Sequence, residues 1–406
     1  MSRRAGFGPI IGELLLFRKL LHDLYIAFIK TLVRFMPGSQ YMLFAGSGSA
    51  TQLCRYIARS GVTKLLVVSD KPLVELGVVD KAISGLAGSR TEVVVFSDVQ
   101  PDPSYEVVAA GAAMYREQAC DSILAVGGGS SIDAAKIIGV AVSCDGDPKD
   151  YVGFGKVKDD LPPLYALPTT SGTGSEATSG AVITDTSTNE KGIISGNQLL
   201  PIAACLDPEL LVGLPPHITA ATGMDALTHA IEAYIGVWDR GDSMVRAASA
   251  VELIFAHLRT AYESGSSLEA REALALASYQ AGQAINQVNV GNVHAIAHQI
   301  GAIYHVPHGL ANAVLLPGVL ECSLEDCRER LTDLAKLIGK QTAEEFIVAV
   351  RELNDSVGIP TTFEALRQSD FAEIILRARK EAFNYPSPHF MSEEDIQQIL
   401  SRVLPQ

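Results

Sequence analysis

The sequence predicts two unlike parts, an α/β domain with a doubly wound parallel sheet and a second domain built of helices alone. Three observations predict them. Residues 41–215 alternate short, unbroken apolar runs with helical stretches, the pattern of buried parallel strands joined by crossover helices. Pro215-Pro216 ends that texture, and strand signals nearly vanish downstream. At 406 residues the chain is also longer than one ordinary core organises. The expected division is an N-terminal helical extension over 1–40, the α/β domain over 41–215 and the helical domain over 216–406.

The extension comes first. Between Pro9 and Met36, residues Leu14, Phe17, Leu21, Leu24, Phe28 and Leu32 recur at helical spacing. Six basic and two acidic side chains through residue 36 make it positive, in a chain whose formal net charge is −14. A basic amphipathic helix can lie on a membrane surface, here through residues 9–36, or act as a targeting segment. The expectation adopted is a helix whose apolar face packs on the body or on a second subunit.

Strands are expected at 64–69, 91–97, 122–126, 164–167, 181–184 and 202–206, each a short β-branched or apolar run. Helices are expected at 220–238, 243–264, 267–287, 293–304, 310–323, 327–337, 343–357 and 371–383. Composition narrows the function. An acidic chain lacks the clustered basic surface that nucleic acid needs. No run of about 18 uncharged apolar residues appears. The six cysteines, Cys54, Cys120, Cys144, Cys205, Cys322 and Cys327, form no Cys-x-x-Cys pair, and they read as thiols in a reducing, cytoplasmic setting.

Three segments offer a nucleotide site. Gly127-Gly128-Gly129-Ser130 joins a predicted strand to a helix start, where backbone can approach a phosphate without a Cβ in the way. It is not the G-x-G-x-x-G fingerprint, and any tight strand–helix turn can use glycine. Asp70 ends a predicted strand, where an acid can accept from ribose hydroxyls and repel a 2′-phosphate, or simply cap a turn. Residues 168–179 (PTTSGTGSEATS) pack hydroxyls and glycines into a loop directly after a strand.

A metal constellation follows. Asp225 and His229 are four apart, as are His294 and His298, so each pair shares a helix face. His305 and His308 come within ten residues of the second pair. Five of the nine histidines thus fall in two short segments beside an aspartate, a set suited to iron or zinc. Spacing alone does not rank the five. Each histidine taken singly is better explained as a hydrogen-bonded core or helix-end residue, and it is the clustering with an aspartate that points to a metal.

GGGSSIDAAK, PTTSGTGSEAT, GMDALTHAIEAYI and HAIAHQIGAIYHVPHGLANAVLLP, in that order over about residues 41–385, resemble the iron-containing (group III) alcohol dehydrogenase family. The resemblance implies a Rossmann-like N-terminal domain and an all-helical C-terminal one, the dehydroquinate synthase-like architecture. It implies Asp225, His229, His294 and His308 as metal ligands, and His298 as a proton-transferring residue beside them. It implies cofactor contacts from Asp70, Gly128, Gly129, Ser130, Asp133, Thr169, Thr170, Thr173, Thr178, Val182, Lys191 and Leu206. The implied cofactors are NAD, with NADP as the alternative, and a divalent metal, Fe2+ foremost and Zn2+ as the alternative. The implied activity is hydride transfer between an alcohol and an aldehyde or ketone, with the metal polarising the substrate oxygen, in a homodimer acting on small molecules. A hydroxyacid–oxoacid transhydrogenase, a polyol dehydrogenase or a maleylacetate-type reductase would share the scaffold, although the full ligand set disfavours the last. A non-catalytic NAD-binding protein docked through its N-terminal helix is the reading of another class.

The sequence departs from the family pattern near residue 386, where an Asn-Pro-Arg motif is expected and Asn384-Tyr385-Pro386-Ser387-Pro388-His389 stands instead. Asn289, Asn292, His305, Ile285 and Phe383 are expected to shape the substrate pocket, and the extension precedes the usual family start.

Overall fold

The computed structural model describes residues 8–33, 42–188, 190–238 and 241–405, and their side chains except those of 8–17, 32, 33 and 190. Helix α1 (Gly8–Val33) is followed by β1 (Met42–Ala45), α2 (Ser49–Arg59), β2 (Lys64–Val68), α3 (Lys71–Glu75), α4 (Val78–Ile83) and β3 (Glu92–Phe96). Then come α5 (Tyr105–Glu117), β4 (Ser122–Gly127), α6 (Gly129–Ser143), β5 (Gly153–Phe154), β6 (Leu164–Pro168), β7 (Gly180–Asp185), β8 (Glu190–Ser195) and β9 (Ala203–Leu206). The rest is helical: α7 (Pro216–Ile235), α8 (Gly241–Glu263), α9 (Leu268–Val288), α10 (Asn292–Tyr304), α11 (His308–Cys322), α12 (Leu324–Leu337), α13 (Ala343–Ser356), α14 (Phe371–Ala382) and α15 (Glu393–Arg402).

Six strands form one sheet in the order β1-β9-β6-β4-β2-β3, and every pairing in it is parallel. Side chains alternate across it, as a period of two requires. Leu66, Val68, Ile123 and Ala125 join α5 and α6 in one core, while Leu65, Val67, Leu124 and Val126 join α2 and α4 in another. Both faces are therefore covered, which is why these strands read as unbroken apolar runs. A small second sheet, β5-β8-β7, sits apart. The order also positions the site. β6, β4 and β2 are neighbours and parallel, so the segments after their carboxyl ends lie side by side: Thr169 onward, Gly128 onward and Asp70.

The helical domain packs around one large apolar cluster spanning Ala220 to Val403, with Ile26 of α1 added to it. Helix α7 is buried on nearly every side, Asp225, His229 and Glu232 included. Polar groups in such a helix must find partners inside the protein. Among the described residues no helix is long and apolar enough to cross a membrane.

Helix α1 narrows one expectation, that its apolar face packs on the body or on a second subunit. It packs on the body, but not through the apolar stripe. His22 and Ile26 are buried, whereas Leu21, Leu24 and Phe28 are 44%, 59% and 65% exposed. The docked face is aromatic: His22 meets Phe383 and Phe390, and Tyr25 stacks on Phe383. Leu14, Phe17, Leu32 and Arg34 lie outside the described side chains. Strands β1, β5 and β8 and helix α15 were not expected; each is short, so its periodic signal is weak.

Candidate metal centre and nucleotide loops

Asp225, His229 and Glu232 sit at i, i+4 and i+7 of α7 and so share one face. His294 lies in the first turn of α10, and His308 is the first residue of α11. The two helices meet at a tight corner, where His305 takes a left-handed conformation (φ 56°) and Pro307 caps α11. Gly309 lets α11 close on α7, since a Cβ there would lie 2.4 Å from the Ala221 carbonyl oxygen. That approach brings His308 to Asp225.

One ligand atom from each of Asp225, His229, His294 and His308 lies within 4.8 Å of the others. The His229 and His294 rings stack with centroids 4.6 Å apart. Asp225 Oδ1 is 3.9 Å from His294 Nε2 and 3.5 Å from His308 Nε2. Burial, with the neighbouring imidazoles adding to it, holds His294 well below its ordinary pKa. Burial also lowers His308, against the pull of Asp225. Neutral rings keep the lone pairs that a metal needs.

Two further groups fix this arrangement. Glu232 accepts from His294 Nδ1 at 2.6 Å and from the backbone N–H groups of Gly291 and Val293 at 2.7 and 2.6 Å. Burial pushes its carboxyl up to about 8, yet three donors converge on its two oxygens, which suits the anion at a helix N-terminus. The consequence for His294 is a proton on Nδ1 and a lone pair on Nε2, facing Asp225 and His308. His229 Nδ1 meets the Gly172 carbonyl oxygen at 3.3 Å, which fixes its tautomer in the same sense.

Asn312, one turn after His308, donates from Nδ2 to Asp225 Oδ1 at 2.7 Å, and lies 3.0 Å from His294 Nε2 and 3.2 Å from His308 Nε2. One amide cannot satisfy three such acceptors, and its own Oδ1 has no partner. The centre thus holds an excess of lone pairs around one point. Its donor set, one carboxyl group and three imidazoles, fits a divalent metal.

His298 lies beside the centre, its ring stacked on His308 at 5.2 Å. Its Nδ1 is 2.5 Å from Glu381 Oε1, and Glu381 also accepts from Tyr385 Oη at 2.6 Å and Gln299 Nε2 at 2.7 Å. Burial works to raise Glu381, but these bonds outweigh it and hold the carboxyl below its ordinary range.

The loops after β4 and β6, the candidate nucleotide loops, are tied to each other. Asp133 accepts from Ser175 Oγ at 2.5 Å and from Val182 N at 2.9 Å. Lys136, fully buried, donates to the carbonyl oxygens of Ser175, Thr178 and Gly180 at 2.8, 2.9 and 2.6 Å and lies 3.2 Å from Thr178 Oγ1. Burial pulls its ammonium down to about 8. Thr170 and Thr173 pack over Gly128 and Gly129, where a Cβ on Gly129 would fall 2.7 Å from Thr173. Gly174 presses on Gly282 of α9, with 2.6 Å between that residue's Cα and a Cβ placed at 174. The loop therefore bridges the sheet and the helical domain. Ser130 is in the first turn of α6, and Thr169 N donates to the Gly127 carbonyl.

Asp70 caps α3, accepting from Leu73 N at 2.8 Å, and burial raises its pKa. Lys191 on β8 pairs with Asp102 at 2.6 Å, and Leu206 ends β9. Phe383 packs against α1, and the Asn292 amide donates to the His389 carbonyl at 2.9 Å, so both lead to the segment after α14.

Sequence reasoning passed over Glu232, Asn312, Lys136 and Glu381. Glu232 and Lys136 had a signal, a second charge inside an otherwise largely apolar helical run, seven residues after Asp225 and three after Asp133. Asn312 had a weaker one, its position four after His308. Glu381 had none, because it reaches His298 from 83 residues away.

Residues 41–208 match the model described as iron-containing alcohol dehydrogenase, and residues 219–404 the Fe-containing alcohol dehydrogenase family, C-terminal. The chain is 41% identical over 351 residues to the 1,3-propanediol dehydrogenase of Klebsiella pneumoniae, covering 84% of this chain and 91% of that protein. It is 35% identical over 369 residues to the NAD-dependent methanol dehydrogenase of Bacillus methanolicus, covering 88% and 97%. A crystal structure of 1,3-propanediol oxidoreductase superposes with a TM-score of 0.87 at 38% identity, covering 91% of this chain and all of that one.

Proposed function

For a chain that belongs to the iron-containing alcohol dehydrogenase family, and is thus an oxidoreductase interconverting alcohols and aldehydes, we propose an NAD-linked enzyme for short primary alcohols or diols with Fe2+ held by Asp225, His229, His294 and His308. The observation that carries the reading is the convergence of those four ligand atoms within 4.8 Å. The substrate class rests on the relatives named for 1,3-propanediol and methanol. The division at residue 215 rests on the change from the sheet's cores to the single helical one. When bound, the metal supplies a Lewis acid for the substrate oxygen and the nicotinamide a hydride acceptor.

The chain's own residues supply the rest. Glu232 and Gly172 hold His294 and His229 in the tautomers that leave Nε2 available. His298 spends Nδ1 on Glu381 and keeps Nε2 to take up the alcohol proton, with the Glu381 carboxylate stabilising the imidazolium. The glycine loop at 128–130 offers the amino terminus of α6 to the pyrophosphate. Asp133 holds the loop contributed by 169–182 in place, leaving Thr169, Thr170, Thr173, Thr178 and Val182, with Lys191 and Leu206, to border the cofactor. Asp70 favours NAD over NADP, because a carboxylate there repels a 2′-phosphate. A homodimer in the cytoplasm completes the reading; six unpaired thiols suit a reducing compartment.

The test is anaerobic purification, metal analysis and NADH absorbance with a panel of alcohols and aldehydes. One iron per site and NAD-linked turnover of short primary alcohols are expected. Metal-free protein that turns over fully, or strict NADP use, sinks the respective part. Light scattering tests the dimer.

A further inference from the structure

A second convergence of metal-ligating side chains lies away from the catalytic centre. It sits where the end of α11 meets the segment leading into α15. Cys322 closes α11, His389 lies in the connection after α14, and Asp395 is in the first turn of α15. One ligand atom from each lies within 4.8 Å of the others. His389 Nε2 is 3.8 Å from Cys322 Sγ and 3.2 Å from Asp395 Oδ2. In a tetrahedral zinc site, bonds of about 2.0 Å to nitrogen and oxygen and about 2.3 Å to sulfur give edges of about 3.3 and 3.5 Å. These two separations are therefore within a few tenths of an ångström of the tetrahedral edges, and the third pair lies within 4.8 Å.

The far side of the ring supports the same reading. His389 Nδ1 is 2.7 Å from Asp326 Oδ2, a carboxylate at the start of α12. Such a partner fixes the ring proton on Nδ1 and turns the Nε2 lone pair toward Cys322 and Asp395, the arrangement behind metal-bound histidines. Asp395 Oδ2 is itself oriented by Ser392, whose N–H and hydroxyl both donate to it at 2.8 Å. The cluster is partly accessible, with the His389 and Asp395 side chains 21% and 28% exposed, so a cation has a way in and a water can complete the shell.

We propose that Cys322, His389 and Asp395 form a second metal site, distinct from the catalytic one, for a borderline-soft divalent cation, zinc foremost. A thiolate in the donor set separates it from the all-nitrogen-and-oxygen catalytic centre and selects against magnesium or calcium. On loading, the Cys322 S–H bond is replaced by a sulfur–metal bond and one proton goes to solvent. The role is structural. His389 O accepts from Asn292, the first residue of α10 and two positions from His294. A cation here clamps the segment after α14 to α11, and through Asn292 steadies the start of α10.

Cobalt(II) provides the test, because the catalytic centre holds no sulfur. The metal-stripped full-length chain, titrated with cobalt, is expected to develop a thiolate-to-cobalt charge-transfer band and to take up two equivalents. Cys322→Ser should abolish the band and one equivalent while leaving alcohol oxidation unchanged. His389→Gln keeps the thiol and should weaken the band-forming equivalent at least ~10-fold. Zinc should raise the melting temperature of the parent chain more than that of either variant. A single equivalent with no band, or a band that survives Cys322→Ser, overturns the site and leaves a hydrogen-bonded cluster around Asp395. The catalytic reading stands or falls separately, on the equivalent that needs His294.

Discussion

The metal centre and the nucleotide loops face the same chemistry but are built on opposite plans. At the centre, three of the four converging atoms share only the Asn312 amide, while Glu232 and the Gly172 carbonyl bond the far ring nitrogens of His294 and His229 and aim them. At the loops, the polar side chains are already satisfied within the loops, Asp133 by the Ser175 hydroxyl and the Val182 backbone N–H, Thr178 by Lys136. The first region presents side-chain lone pairs to a ligand, and the second presents the shape of its backbone. Damage to the centre should therefore be felt as lost metal, and damage to the loops as lost stability and cofactor affinity.

Lys136→Met offers the largest break in that contrast. It strands three carbonyl oxygens that the ammonium now serves, and removing one partner of a buried polar network costs about 3–5 kcal/mol. Urea unfolding should show the loss, and NAD affinity should fall with it. Retained stability would mean that the loops are held elsewhere. Glu232→Gln should act on the other region, lowering metal affinity or activity roughly 10–100-fold with little change in NAD binding. Metal analysis after dialysis reads it; equal losses in metal and NAD would erase the distinction.

Gly129→Ala sharpens the comparison from the loop side. Its new Cβ meets the short, branched Thr173 side chain, so the loop must shift at a cost of about 1–3 kcal/mol. NAD titration should show weaker binding while metal content stays at the parent level. The smallest effect is expected at Glu381, whose folded pKa is depressed. Its stabilising contribution is complete above the ordinary carboxylate value of about 4.3 and is lost as pH falls through the lower folded value. Glu381→Gln should flatten that acid limb in thermal melts and lower kcat without removing the metal. An unchanged limb would show that Glu381 is not held as the anion by His298.

Much of this was legible in advance, and the reasons differ by residue. The strands of the large sheet were readable because both faces are buried, so burial is written into consecutive residues. The candidate set was readable because helical spacing pairs Asp225 with His229 and His294 with His298, with His305 and His308 close behind. The ranking of the five histidines was not, since spacing does not say which ring nitrogen points inward. Helix α1 shows the limit from another side: its periodicity announced a helix, yet the docked face is His22, Tyr25 and Ile26 rather than Leu21, Leu24 and Phe28. An amphipathic pattern says that a face exists, not which neighbour will cover it.

The sequence by itself determined the two architectures, the glycine turn after β4 and the candidate ligand types, because each depends on local periodicity or on one residue's chemistry. Only the tertiary structure decided which atoms those ligands present. It set Glu232 against His294, Glu381 against His298, and His389 between Asp326 and Asp395, across separations of 62, 83 and up to 63 residues. Contacts of that range are set by how helices pack, and packing depends on the whole core rather than on any window of sequence.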